Sequence, residues 1–217
     1  MNKLWIFGCS ISDERQPKDR EDYVKWKGYQ IDTWSEILSR DINYELENHA
    51  ISGTNNPQIM ENFSKCSNQI KENDIVIINW TETSRFRVAG DKWYNVLFQH
   101  IDHPDLIQEL KNLNDLGMST QTIKDTILNR TNHLFVDEVN NHYTLINEFC
   151  KMRKCKLFFW GMNIQSKYML TYNGKNIYDY FIDTHGSIKN ETNNLINDLH
   201  FSEQSHLMFA KHLLTLL

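Results

Sequence analysis

Residues 74–80 read DIVIINW, an apolar run with no alternation, entered from Asp74 and left through Asn79 and Trp80. A run of that length and character is a strand covered on both faces, the kind found in parallel sheets with helices on each side. KLWIF (3–7) and CKLFFWGMN (155–163) have the same character, and INYELENHAI (42–51) alternates like a strand ending in the turn SGTNN. Helices fall between them. DTWSEILSR (32–40) has Thr33 and Glu36 at capping-box spacing and Trp34, Ile37 and Leu38 on one face. Residues 57–72 and 133–152 read as two more, and SEQSHLMFAKHLLTLL closes the chain behind an N-cap at Ser202. The alternation predicts an α/β fold, a parallel sheet between two helical layers, as one domain over 1–217. Two stretches interrupt it. Leu106, Ile107, Leu110 and Leu113, then Ile123, Ile127 and Leu128, suggest a helical insert over about 84–131, and 168–194 is polar and loop-like.

Composition narrows the function classes. The chain has 217 residues, 40% of them hydrophobic and 24% charged, as in an ordinary globular domain. A net charge of −5 supplies no basic face, so we expect no nucleic-acid partner. No apolar stretch approaches the ~20 residues a bilayer needs, and the run at 4–7 is too short for a signal-peptide core. Cys9, Cys66, Cys150 and Cys155 form neither a CxxC pair nor a disulfide-dense pattern, so we expect reduced thiols and a cytoplasmic protein without a membrane anchor.

In a parallel α/β sheet the ligand site lies beyond the carboxyl ends of the strands. After the first strand stand Gly8, Cys9 and Ser10. After the second comes Gly53, and after the third Asn79, Trp80, Thr81 and Glu82. Asp198 and His200 stand before the last helix. A hydroxyl, a histidine to take its proton, a carboxylate to orient the histidine and donors for an oxyanion are the parts of acyl transfer.

On these residues the chain resembles the SGNH, or GDSL, hydrolase family of esterases and acylhydrolases, which have a flavodoxin-like three-layer fold. The resemblance covers both ends and residues 42–82, but not the insert. Gly8-Cys9-Ser10 matches the family's Gly-Asp-Ser, and Asn48 to Gly53 matches Asn-x-x-x-Ser-Gly. Asn79-Trp80-Thr81-Glu82 stands where the family has Gly-x-Asn-Asp, so the oxyanion asparagine falls on Thr81 by count, with Asn79 two residues earlier. The family's Asp-x-x-His would put the acid at Asn197, whereas Asp198-Leu199-His200 reproduces the Asp-x-His of some related acyl-transfer enzymes. Only a carboxylate stabilises an imidazolium, which favours Asp198. The resemblance thus implies a serine esterase with Ser10, His200 and Asp198 as triad, and an oxyanion hole of the Ser10 and Gly53 amides with Thr81 or Asn79. It implies a small-molecule or carbohydrate ester as substrate and no metal or organic cofactor. An O-acyltransferase acting on carbohydrate and a non-catalytic binding module on the same fold are the alternatives.

Other residues carry rival readings. Cys9 is a second candidate nucleophile, but neighbouring side chains leaving a strand diverge, so we expect a small buried residue there. His100, Asp102 and His103 suggest a metal site or, more simply, a solvated loop. Trp80 and Trp93 could border a pocket, and Arg85 and Arg87 could pair with a substrate anion. The apolar face of the insert could cap the site or meet a second copy in a homo-oligomer.

Overall fold

The apolar run at 74–80 forms an interior strand of a four-stranded parallel sheet, as its lack of alternation demands. The computed structural model describes residues 1–13, 18–82, 85–89, 93–97, 121, 125, 132–162, 167–196 and 199–217. In chain order the elements are β1 (Lys3–Phe7), α1 (Lys18–Lys27), α2 (Trp34–Ile42), β2 (Glu45–Asn48), α3 (Asn56–Cys66), β3 (Ile75–Trp80), β4 (Arg85–Ala89), β5 (Trp93–Leu97), α4 (Asn132–Arg153), β6 (Lys156–Gly161), β7 (Thr171–Tyr172), β8 (Lys175–Asn176), α5 (Ile177–His185), α6 (Ile188–Glu191) and α7 (Glu203–Leu216). The sheet order is β2-β1-β3-β6.

Strand pleating divides the core in two. Leu4 and Ile6 of β1, with Ile75 and Ile77 of β3, pack under Trp34 and Leu38 of α2, Phe181 of α5 and Phe209 of α7. Trp5, Phe7, Val76, Ile78 and Trp80 point to the opposite face and meet Ile59 and Phe63 of α3 and Val139 and Ile146 of α4. Helices therefore cover both faces, an arrangement compatible with three α/β/α layers. The α2 capping box is present: the Glu36 N–H donates to the Thr33 hydroxyl, and the Glu36 carboxylate accepts from the Thr33 N–H at 2.6 Å. Ser202 caps α7 by accepting from the Ser205 N–H at 3.1 Å. Among the described residues no helix is long and apolar enough to cross a membrane.

Two sequence expectations need correction. The stretch 168–194 is structured. Asn173 and Gly174, both at positive φ, make the two-residue turn that joins β7 to β8, and α5 and α6 follow. Its polar surface residues mask Ile177, Tyr178 and Phe181, which are buried. The stretch expected to begin a helical insert instead begins as the antiparallel hairpin β4–β5, where alternating aromatic, branched and polar residues favour strand. The apolar positions from Leu106 to Leu113, and Ile123, Ile127 and Leu128, lie outside the described residues. Trp80 is buried, stacked on His142 and edge-on to Phe159.

Helix α1, which nothing in the sequence reading anticipated, is tied down by a charged cluster. The Tyr23 hydroxyl donates to Glu191 at 2.6 Å, Lys27 pairs with Glu191 and Glu203, and the Tyr29 hydroxyl donates to Glu203 at 2.8 Å. Burial pushes the Glu191 carboxyl up, but the hydrogen bonds from Lys27 and Tyr23 and the Lys27 charge outweigh it and hold the group below its ordinary value. A depressed carboxylate contributes stability that is fully present above its unfolded pKa and lost as pH falls through the folded one. Wild type should therefore exceed Glu191→Gln in urea-unfolding free energy at neutral pH, and the gap should close as pH falls through and below the ordinary carboxylate range. A pH-independent gap would remove the ion pair as its source.

Candidate active site

Strand order locates the site before any side chain is considered. From β1 the chain goes to β2 on one side and then returns to β3 on the other, so the order reverses at β1. The crevice beyond the carboxyl ends of β1 and β3 is where such sheets bind ligands. Phe7 pairs with Ile78, which brings Gly8 level with Asn79. A Cβ on Gly8 would stand 2.8 Å from the Asn79 Cβ and 3.0 Å from its Oδ1, so only glycine fits against that side chain. Gly8→Ala should cost about 1–3 kcal/mol in urea unfolding, because Asn79 is buried, bonded and unable to retreat. An unchanged midpoint would show that the Asn79 amide can move away freely.

Asn79 lies beneath the turn that carries Ser10. Its Oδ1 accepts from the Ser12 hydroxyl at 3.1 Å and lies 3.4 Å from the Cys9 N–H and 3.3 Å from the Cys9 thiol, while its Nδ2 donates to the Trp80 carbonyl at 3.2 Å. The turn closes on itself through the Ser12 and Asp13 N–H groups, which donate to the Cys9 carbonyl at 3.0 and 3.1 Å. Cys9 is wholly buried against Met162, and burial pushes its thiol up despite the positive charge of Arg85. A thiol so held is a poor nucleophile. Ser10, 5% exposed, occupies the same turn.

The second block is bonded to the first. The Ile51 N–H donates to the Gly8 carbonyl at 2.9 Å, the Asn48 Nδ2 to the Ser12 carbonyl at 2.6 Å, and the Ser52 N–H to the Asp13 carboxylate at 2.7 Å. The Thr54 N–H donates to the Ile51 carbonyl, closing a turn in which Gly53 takes φ +74°. Among the described residues no hydrogen bond engages the exposed Gly53 N–H. The third block joins through Asn56, whose Oδ1 accepts from the Thr81 N–H at 2.9 Å and whose Nδ2 donates to the Thr81 carbonyl at 3.2 Å. The Thr81 hydroxyl is buried and, among the described residues, meets no hydrogen-bond partner within bonding geometry.

Ser10, Gly53, Asn79 and Thr81 thus belong to three strand-end segments joined by direct hydrogen bonds. His200 is fixed by other contacts: its carbonyl accepts from the Ile188 N–H at 2.9 Å, the Leu199 carbonyl accepts from the Tyr178 hydroxyl, and Phe201 bridges to Ser187. Asn197 and Asp198 lie outside the described residues, as do His100, Asp102 and His103. The side chains of Arg87 and Trp93 also lie outside them. Among the described residues no group of three or more His, Cys, Asp or Glu side chains is placed to hold a metal ion. A cavity of about 190 Å³ opens beside the second block, lined by Asn48, His49, Ile51, Asn62, Lys65 and Cys66 rather than by the Ser10 turn.

Sequence reasoning missed Asp13 and Asn56, two of the side chains that fasten these segments to one another. Asp13 lies three residues after Ser10 and Asn56 three after Gly53, so their nearness to the named blocks was the available signal. It also missed His206, whose Nδ1 accepts from the Trp34 N–H at 3.1 Å and satisfies an otherwise orphaned donor at the start of α2. No protein-family model matches the chain, and no curated protein matches it.

Proposed function

We propose that the protein is a serine hydrolase of the SGNH type, cleaving an ester or thioester of a small acyl group. The observation that carries this reading is the bonded convergence of the Gly8–Asp13, Asn48–Gly53 and Asn79–Thr81 segments at the sheet's switch point, with a serine in the first and an unengaged glycine N–H in the second. In the reaction the Ser10 Oγ attacks the acyl carbonyl. His200 takes the hydroxyl proton and delivers it to the leaving oxygen or sulfur, and water then releases the acyl group by the reverse proton path. Asp198 orients the imidazole. The Ser10 and Gly53 amides face the developing oxyanion, with Thr81 as third donor, since Asn79 already spends its Nδ2 on Trp80 and its Oδ1 on the Ser10 turn. The chain works as one domain in a reducing, cytoplasmic compartment, which suits its four free cysteines.

The test is a fluorophosphonate probe followed by peptide mapping, together with a screen of short-chain 4-nitrophenyl esters. Labelling at Ser10 with ester turnover is expected. Neither labelling nor turnover would leave a binding module on this fold.

A further inference from the structure

We propose that Arg85 recognises a negatively charged group on the substrate, a carboxylate or a phosphate carried by the acyl or the alcohol portion. The proposal deepens the hydrolase reading and rests on it.

Arg85 is the first residue of β4, and its backbone N–H donates to the Glu82 carbonyl at 3.2 Å, which ties the start of β4 to the segment that follows β3. Strand β4 lies against α3, whose first residue Asn56 holds Thr81 and which follows directly on the Gly53 turn. Glu82, to which Arg85 is bonded, follows directly on Thr81, and α3, against which its strand lies, starts at Asn56, so both border the switch-point crevice. The side chain is half-buried, and its Nε is closed off from solvent with no hydrogen-bond partner among the described residues. Among the described residues no carboxylate pairs with it. Other half-buried cations of this protein do have partners: Lys27 has Glu191 and Glu203, and Lys3 has Glu45 and Glu47. The charge also reaches the loop next to the nucleophile, because it acts on the Cys9 thiol, one residue before Ser10.

A half-buried guanidinium without a counter-charge gives up hydration and recovers nothing from the fold. Its planar array of donors suits a carboxylate or phosphate oxygen pair, which a ligand can supply. On this proposal an anionic ester with its carbonyl at Ser10 turns its charged end toward Arg85, whose charge already acts on the neighbouring Cys9.

The experiment uses the full chain in two arms. In the kinetic arm, 4-nitrophenyl butyrate is compared with the 4-nitrophenyl monoester of succinate, of the same length but ending in a carboxylate. Wild type should favour the succinate ester in kcat/KM. Arg85→Gln should lower the ratio of the two by about 10- to 100-fold, chiefly through KM, and Arg85→Lys should recover part of it. In the binding arm, succinate and inorganic phosphate are titrated calorimetrically into Ser10→Ala and into Ser10→Ala/Arg85→Gln, which also separates the carboxylate from the phosphate source. Binding lost with Arg85 supports the proposal even if neither ester is turned over, an outcome that would overturn the hydrolase reading alone. An unchanged ester ratio in Arg85→Gln overturns the proposal, as does anion binding that is absent from Ser10→Ala or indifferent to Arg85.

Discussion

Ser10→Ala is expected to lower kcat for ester hydrolysis by about 10⁴- to 10⁶-fold, the loss that follows removal of a nucleophile acting as one unit with its base. What survives should be the catalysis of a preorganised site, because the Gly53 turn and the Asn79 support are built from groups other than the Ser10 hydroxyl. Stability should change by no more than about 1 kcal/mol, the worth of one hydroxyl's hydrogen bonding. The informative control is the adjacent residue. Cys9→Ala removes a thiol packed against Met162 and Asn79 and held up in pKa by burial, so it should cost some stability and keep activity within about tenfold. The measurements are kcat on a 4-nitrophenyl ester and the urea midpoint for both variants. A dead Cys9→Ala beside an active Ser10→Ala would transfer the nucleophile to the thiol and dismantle the proposed proton path.

How much of this was legible in the sequence follows from the range over which each interaction acts. Strands β1, β3 and β6 showed themselves because near-continuous apolar runs need no partner to be recognised. The start of α2 was legible because a capping box is complete within four residues. Ser10, Gly53, Asn79 and Thr81 were singled out as candidates by a rule about where ligands sit on parallel sheets, which needs only the strand ends. Two of the fasteners between them, Asp13 and Asn56, were not found. Asp13 and Ser52 are 39 residues apart and Asn56 and Thr81 are 25 apart, so each pairing exists only once the register of β1, β2 and β3 is set. Glu191 and Lys27 are 164 residues apart, and without that pairing α1 carries no strong apolar stripe to announce itself. The hairpin β7–β8 failed for the opposite reason. Its Asn-Gly turn is a strong local signal, but strands of two residues offered no alternation to flank it.

Asp74→Ala should be the most damaging single change to the fold, at about 3–5 kcal/mol. Asp74 stands at the mouth of β3, 2% exposed, and its carboxylate serves three donors: the Lys3 N–H at 2.8 Å, the Trp5 indole Nε1 at 2.9 Å and the Lys71 N–H at 2.9 Å. Two of these belong to β1, so one side chain fixes the amino ends of the paired strands β1 and β3, while Asn79 fixes their carboxyl ends from the opposite terminus of β3. Truncation to alanine strands all three donors. Lys3 is only half-buried and can be reached by water, but Trp5 is 1% exposed inside the core shared with α3 and α4. An indole N–H stranded there costs about 1–3 kcal/mol by itself, and charge-assisted bonds lost at the two backbone amides add to it. Against a total stability of typically 5–15 kcal/mol, such a loss should be visible in soluble yield as well as in the urea midpoint. Asp74→Asn should cost less, since it keeps one acceptor oxygen and the volume, but its amide nitrogen then faces at least one donor. Trp5→Phe isolates the indole's share. If the stranded N–H dominates, Asp74→Ala should be less damaging in the Trp5→Phe background by about 0.5–3 kcal/mol. A loss under about 1 kcal/mol for Asp74→Ala would mean that water enters and replaces the carboxylate, and that apolar packing alone holds β1 in register with β3.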